Sequence, residues 1–136
     1  MTFSIYALLG NEAPAITNES LGDDLRHFFR NEEGFSIQFE QLPFAKNKSL
    51  ALRWDKWLVR VSYEDGDKVA QDTADIGKVV SCLAPFDLSS ISRRIRLVFS
   101  DDDLQEYTNQ FIYLMDFLRE IPGVAIFDPQ QSDFIK

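Results

Sequence analysis

The chain carries one histidine, His27, and one cysteine, Cys82, the two side chain types best suited to general-base and nucleophilic work near neutral pH. A cysteine nucleophile needs an activating base, and His27 is the only imidazole available. Nothing in the sequence brings the two together. His27 falls opposite the apolar stripe of its helix and is expected to face water. A Ser-His-Asp triad or a multi-histidine metal site therefore has no support. Asp101-Asp102-Asp103 offers oxygens to a hard cation. Consecutive side chains point in different directions, however, and no Asp-x-Asp-x-Asp-Gly loop with a distant Glu is present. Capping of a following helix is the better use for this run, with partner contact as the alternative. The six glycines are scattered and form no phosphate loop. The twenty-two acids allow too many pairings to nominate an acid and a base. This reading predicts a protein that is not an enzyme and needs neither metal nor cofactor.

Charge narrows the range of partners. Twenty-two acids against fourteen bases give a formal net charge of −8. Such a surface repels phosphate backbones and anionic lipid, so no nucleic acid and no membrane are expected as partners. A basic protein is the partner that the charge fits. The lone cysteine forms no internal disulfide, and the N-terminal stretch lacks a basic region before its short apolar segment. A cytoplasmic location is expected.

Four groups of residues could carry binding. Trp54 and Trp57 bracket Asp55-Lys56, and tryptophans serve both as interface anchors and as cross-strand packing. Glu64, Asp65 and Asp67, with Asp72 and Asp75 beyond, form an acidic run that reads as a solvated face or a docking patch for a basic partner. Asp101 and Asp102 are a third, smaller acidic group. In the last helix, Tyr113, Phe117 and Ile121 make an apolar line at i, i+4, i+8, roughly half a helix away from the stripe Leu104, Thr108, Phe111, Met115, Leu118. Such a helix is either centrally buried or presents an aromatic shoulder for dimerisation or target binding.

The elements that position these residues follow from periodicity. Phe3 to Leu9 reads as a strand. Ser20 reads as a helix N-cap before Leu21, Leu25, Phe28 and Phe29, with Gly34 as the stop. Phe35 to Leu42 alternates as a half-buried strand. Leu50, Leu52 and Trp54 alternate in one phase and Trp57, Val59, Val61 and Tyr63 in the other. The phase change at Asp55-Lys56 requires a tight hairpin or one long bulged strand. A second helix carries Val69, Thr73, Ile76, Val80 and Leu83 on one face and ends before Pro85. Arg93 to Ser100 is a strand. A helix from about Leu104 to Ile121 follows, with Asp103 and Glu106 at capping-box spacing and Pro122-Gly123 as its stop. Val124 to Phe127 is a strand to which Phe134-Ile135 pairs back. With no repeat or linker, residues 1–136 form a single domain. Its class is α+β, a two-layer sandwich of mostly antiparallel sheet with three helices packed on one face.

Two segments carry a resemblance. They are Leu52-Arg53-Trp54-Asp55-Lys56-Trp57-Leu58-Val59-Arg60-Val61 with Gly66-Asp67-Lys68-Val69-Ala70, and the run Leu118 to Phe134 around Ile121-Pro122-Gly123-Val124-Ala125-Ile126-Phe127-Asp128-Pro129-Gln130. Both resemble a family of small bacterial cytosolic proteins of the toxin-immunity type. The resemblance implies a protein that binds a cognate toxin effector, a basic one, and neutralises it. A general interaction domain acting as a homodimer or scaffold through the last helix is the alternative.

Overall fold

The structure is a computed structural model and describes residues 3–41, 43, 49–80, 88, 91–102 and 105–135, with backbone only at 79 and 80. Along the chain run β1 (Phe3–Leu9), α1 (Asn18–Phe28), β2 (Phe35–Glu40), β3 (Ser49–Trp54), β4 (Trp57–Asp65), α2 (Asp67–Val80), β5 (Arg93–Phe99), α3 (Thr108–Arg119), β6 (Val124–Asp128) and β7 (Asp133–Ile135). The strands join in one seven-stranded sheet of order β2-β3-β4-β5-β1-β6-β7, and every neighbouring pair is antiparallel. The α+β class is as expected.

The phase change in the long apolar stretch is a hairpin. Trp54 stands opposite Trp57, with Asp55-Lys56 alone as the turn and Asp55 at φ +51°. This turn points Leu50, Leu52, Trp54, Trp57, Val59 and Val61 at the same layer. The register carries that layer across the sheet, through Phe39, Leu50, Val61, Leu97 and Ile5 in one row. α1 closes over it with Leu21, Leu25 and, just past its end, Phe29; α3 does so with Leu114, Met115 and Leu118. α1 lies so close that a Cβ on Gly22 would sit 3.2 Å from the Leu50 side chain.

The helices are distributed differently from the single covered face read from the sequence. α1 and α3 share one face, whereas α2 lies on the other. Ile76 of α2 packs with Leu8, Ala125 and Phe127, whose side chains alternate away from the main core, and Asp72 bonds Arg94 on that same side. An apolar stripe shows that a helix packs but not on which side of a sheet, and here the position of Arg94 decides it.

Helix ends also differ in detail. The N-cap of α1 is Thr17, not Ser20. Thr17 Oγ1 accepts the Ser20 N–H and Ser20 Oγ accepts the Thr17 N–H, both at 3.0 Å, so Ser20 fills the third position of a reciprocal capping box. α3 starts at Thr108 rather than near Leu104, because the Asp102 carboxylate takes the N–H groups of Glu106 and Tyr107 into a separate turn with Gln105 at φ +54°. After α3, Gly123 adopts φ +73° and brings the chain within van der Waals reach of Glu12. Leu83, Pro85, Asp103 and Leu104, like Cys82, lie outside the described residues. No helix among the described residues is long and apolar enough to cross a membrane.

Within the main core the aromatic rings touch in sequence. Phe3 stacks on Phe99 at 4.7 Å, Phe99 meets Trp57, Trp57 meets Trp54, Trp54 meets Phe29 edge-on, and Phe29 leads through Phe28 to Phe117. Tyr107 stacks on the Trp57 ring at 5.0 Å, and Trp57 Nε1 donates to the Ser100 carbonyl. At the open end of the β1–β6 pair, the Gln130 amide accepts from Ser4 N and donates to Ser4 O, each at 2.8 Å. Trp57 has three ring partners and, through its indole N–H, a hydrogen bond as well. Trp57→Ala is predicted to lower unfolding free energy by about 3–5 kcal/mol, read as a fall in the urea midpoint. A loss below about 1 kcal/mol would mean that the core collapses around the missing ring.

Candidate functional site

The acidic residues expected to form one patch are divided by the alternation of β4. Glu64 points to the α2 side, where its carboxylate accepts from Arg94 Nε at 2.8 Å, while Asp72 accepts from Arg94 Nη1 at 3.1 Å. The Arg94 side chain is only 5% exposed and lies over the Tyr6 ring at 4.6 Å. Glu64 and Asp72 therefore neutralise a buried cation, and Asp72 ties α2 to it. Asp65 points the other way, toward Tyr63 and Arg93. Arg93 spans the gap to the loop after β1, donating to the carbonyls of Gly10, Ala13 and Pro14 at 3.0–3.1 Å. Burial, then the charge and hydrogen bond of Asp65, push the Tyr63 phenol above its usual range, with Arg93 opposing. Asp67 is exposed in the first turn of α2, where a carboxylate favours the helix N-terminus.

The other expected contact residues also separate. Trp54 and Trp57 are buried, at 3% and 2% exposure, so their rings belong to the core and leave Asp55 and Lys56 at the hairpin surface. Asp102 is used in the turn before α3, and Asp101 beside it is exposed. Phe117 lines a recess, and Tyr113 lies one turn before it on α3.

That recess is a groove of about 540 Å³ between α1 and the end of α3. Its size is within the ~300–1,000 Å³ of ordinary ligand sites. Pro14, Ala15 and Ile16 form one end, Leu21 and Phe28 the α1 wall, and Phe117, Ile121 and Pro122 the α3 wall. Of the Tyr113, Phe117, Ile121 line of the sequence, Phe117 and Ile121 are in this wall. Phe117 meets Phe28 edge-on at 5.4 Å, Ile121 is half-buried, and Tyr113, one turn before Phe117, is 42% exposed. Ile112 next to it is 46% exposed.

The groove edge carries Ser20, Asp24 and His27 from α1 and Glu120 from the end of α3. Ser20, Asp24 and His27 are the residue types of a hydrolytic triad, but Ser20 and His27 are seven positions apart on one helix, about 10 Å along its axis. The Ser20 hydroxyl instead accepts from the Thr17 N–H and donates to the Thr17 carbonyl. The nearby cations have their own acids, Arg26 with Asp23 at 3.4 Å and Arg119 with Asp116 at 3.1 Å. Among the described residues neither the Asp24 nor the Glu120 carboxylate has an ion-pair or hydrogen-bond partner, and no group of three His, Cys, Asp or Glu side chains is placed to hold a metal. An apolar floor under free carboxylates suits an apolar body that carries positive charge. His27, read from the sequence as an isolated surface residue, is exposed and stands on this edge. Comparison with protein-family models, curated proteins and solved structures gave no match.

Two predictions follow from the acidic residues. Glu64→Ala should cost about 1–2 kcal/mol by leaving the buried Arg94 with one carboxylate, whereas Asp67→Ala should stay within about 0.5 kcal/mol; equal urea midpoints for the two variants would show that the Glu64–Arg94 pairing adds nothing to stability. Tyr63 in turn predicts an alkaline loss. Its phenol ionises at 10.0 in the unfolded chain and higher in the folded one, so the unfolded state releases the proton first. The stability it contributes is intact below 10.0 and declines as pH rises from there toward the raised folded value. Urea midpoints measured across this range should fall more steeply for the wild type than for Tyr63→Phe, and parallel curves would contradict the shift.

Proposed function

We propose that this chain is a non-catalytic binding domain of the toxin-immunity type, which holds one basic protein and blocks it. The observation that carries this reading is the groove beside α3, apolar within and edged by the free carboxylates of Asp24 and Glu120, with the Tyr113 ring exposed one turn before Phe117 on the same helix. Occlusion of a target needs a complementary surface rather than a reacting group. A chain of net charge −8 attracts a basic partner from a distance, which raises the association rate and makes it fall with salt. The sequence resemblance in the Trp54–Trp57 and Ile121–Gln130 regions favours a toxin as that partner.

Self-association is the second reading, favoured by Ile112 and Tyr113, whose exposed side chains stand next to each other on α3. Its signature is a concentration-dependent dimer in sedimentation that Ile112→Asp abolishes.

The test is capture of partners on the tagged protein from source-cell lysate at low and high salt, followed by expression of the captured protein alone and together with this chain. The expected result is one basic protein at equal stoichiometry, weakened by salt and by Tyr113→Ala, that arrests growth alone and is harmless when co-expressed. A captured protein without toxicity would remove the immunity reading, and recovery of the chain alone as a dimer would favour self-association.

A further inference from the structure

We infer that the groove between α1 and α3 takes a short amphipathic basic helix of the partner, with apolar side chains down into the groove and a lysine or arginine on each flank. This rests on the protein-binding reading above and specifies what that surface recognises. The two free carboxylates lie on opposite walls, Asp24 on α1 and Glu120 at the end of α3. A segment lying between them meets one carboxylate on each side, so a cation on each flank of an apolar stripe is the complementary pattern. The local arginines do not supply those cations, since Arg26 is paired with Asp23 and Arg119 with Asp116.

Backbone chemistry selects a helix over an extended strand. β-strand addition requires a row of free main-chain N–H and C=O groups. The α1 wall is helical and its main-chain groups are bonded within the helix; on the other side, at and just past the end of α3, the Glu120 and Ile121 N–H groups donate to the Phe117 and Leu118 carbonyls and Pro122 has no N–H to offer. The loop at the groove's end is also committed in part, since the Pro14 carbonyl accepts from Arg93. A ligand seated here must satisfy its own backbone, as a helix does, and contribute side chains only.

The test uses three synthetic helical peptides followed by amide NMR on the whole chain: one of leucine and lysine, one of leucine and glutamate, and one of alanine and lysine. The leucine–lysine peptide should give saturable shifts centred on Ala15, Asp24, His27, Phe117 and Ile121, and the other two should not. Asp24→Lys with Glu120→Lys, both at exposed positions, should weaken its binding about tenfold or more with the urea midpoint unchanged. Equal binding of the leucine–glutamate peptide, shifts centred elsewhere, or undiminished binding by the double variant would overturn the inference. A captured basic partner that still binds the double variant would also overturn it while leaving the broader binding reading intact. Seating of the leucine–lysine peptide with no basic protein captured would support the groove's chemistry and remove the neutralising role instead.

Discussion

The Trp54–Trp57 cross-strand pair fixes the side chain phase on which the sheet depends. In a strand, a slip of one residue moves every side chain to the opposite face. With Asp55-Lys56 as the whole turn, Leu50 and Leu52 share a layer with Val59 and Val61, and β5 and β1 extend that layer by register. The aromatic chain through Trp57 to Phe99 and through Trp54 to Phe29 then couples the hairpin to both α1 and α3. Packing that joins the two helices to the same strands also sets the width of the groove between them, because Phe28 and Phe117 end the chain of rings and form facing walls.

The opposite face of the sheet is organised by charge as well as by packing. Arg94 projects where an apolar residue would ordinarily cover the central strands, and its guanidinium is served by Glu64, Asp72 and the Tyr6 ring. A buried cation left unpaired is costly, so the two acids are bound to it structurally. The negative charges of the chain are therefore not equivalent: the half-buried carboxylates of Glu64 and Asp72 are held by Arg94, and those on the groove edge are free.

Strands and helices were legible in the sequence because their signals are local. Phe35, Ile37 and Phe39 alternate with Ser36, Gln38 and Glu40, and the phase break at Asp55-Lys56 required a turn or bulge there. Less local features were ambiguous. Thr17 and Ser20 are both good caps, and the capping box uses each in a different place. The start of α3 depends on which of three successive aspartates bends back to the chain, a matter of backbone angle rather than residue type. The face chosen by α2 depends on Arg94, far along the chain. For the site, the Tyr113 and Phe117 line was visible as helical spacing, whereas the groove itself was not. Its walls come from residues near 14–16, 20–28 and 117–122, and no pattern within one segment announces their meeting. The tryptophans show the converse difficulty, since the same residue type serves cores and interfaces and only burial tells them apart.

The placement of β1 has a consequence for the order in which the molecule can assemble. β1 lies between β5 and β6, and the Gln130 amide bonds both main-chain groups of Ser4. Both neighbours come much later in the chain, so during synthesis Ile5, Ala7 and Leu9 leave the ribosome long before the strands that cover them. The β2–β3–β4 meander can pair as it emerges, but the sheet closes around β1 only after β6 is available. Such distant pairing slows folding and leaves an apolar strand exposed in the nascent chain.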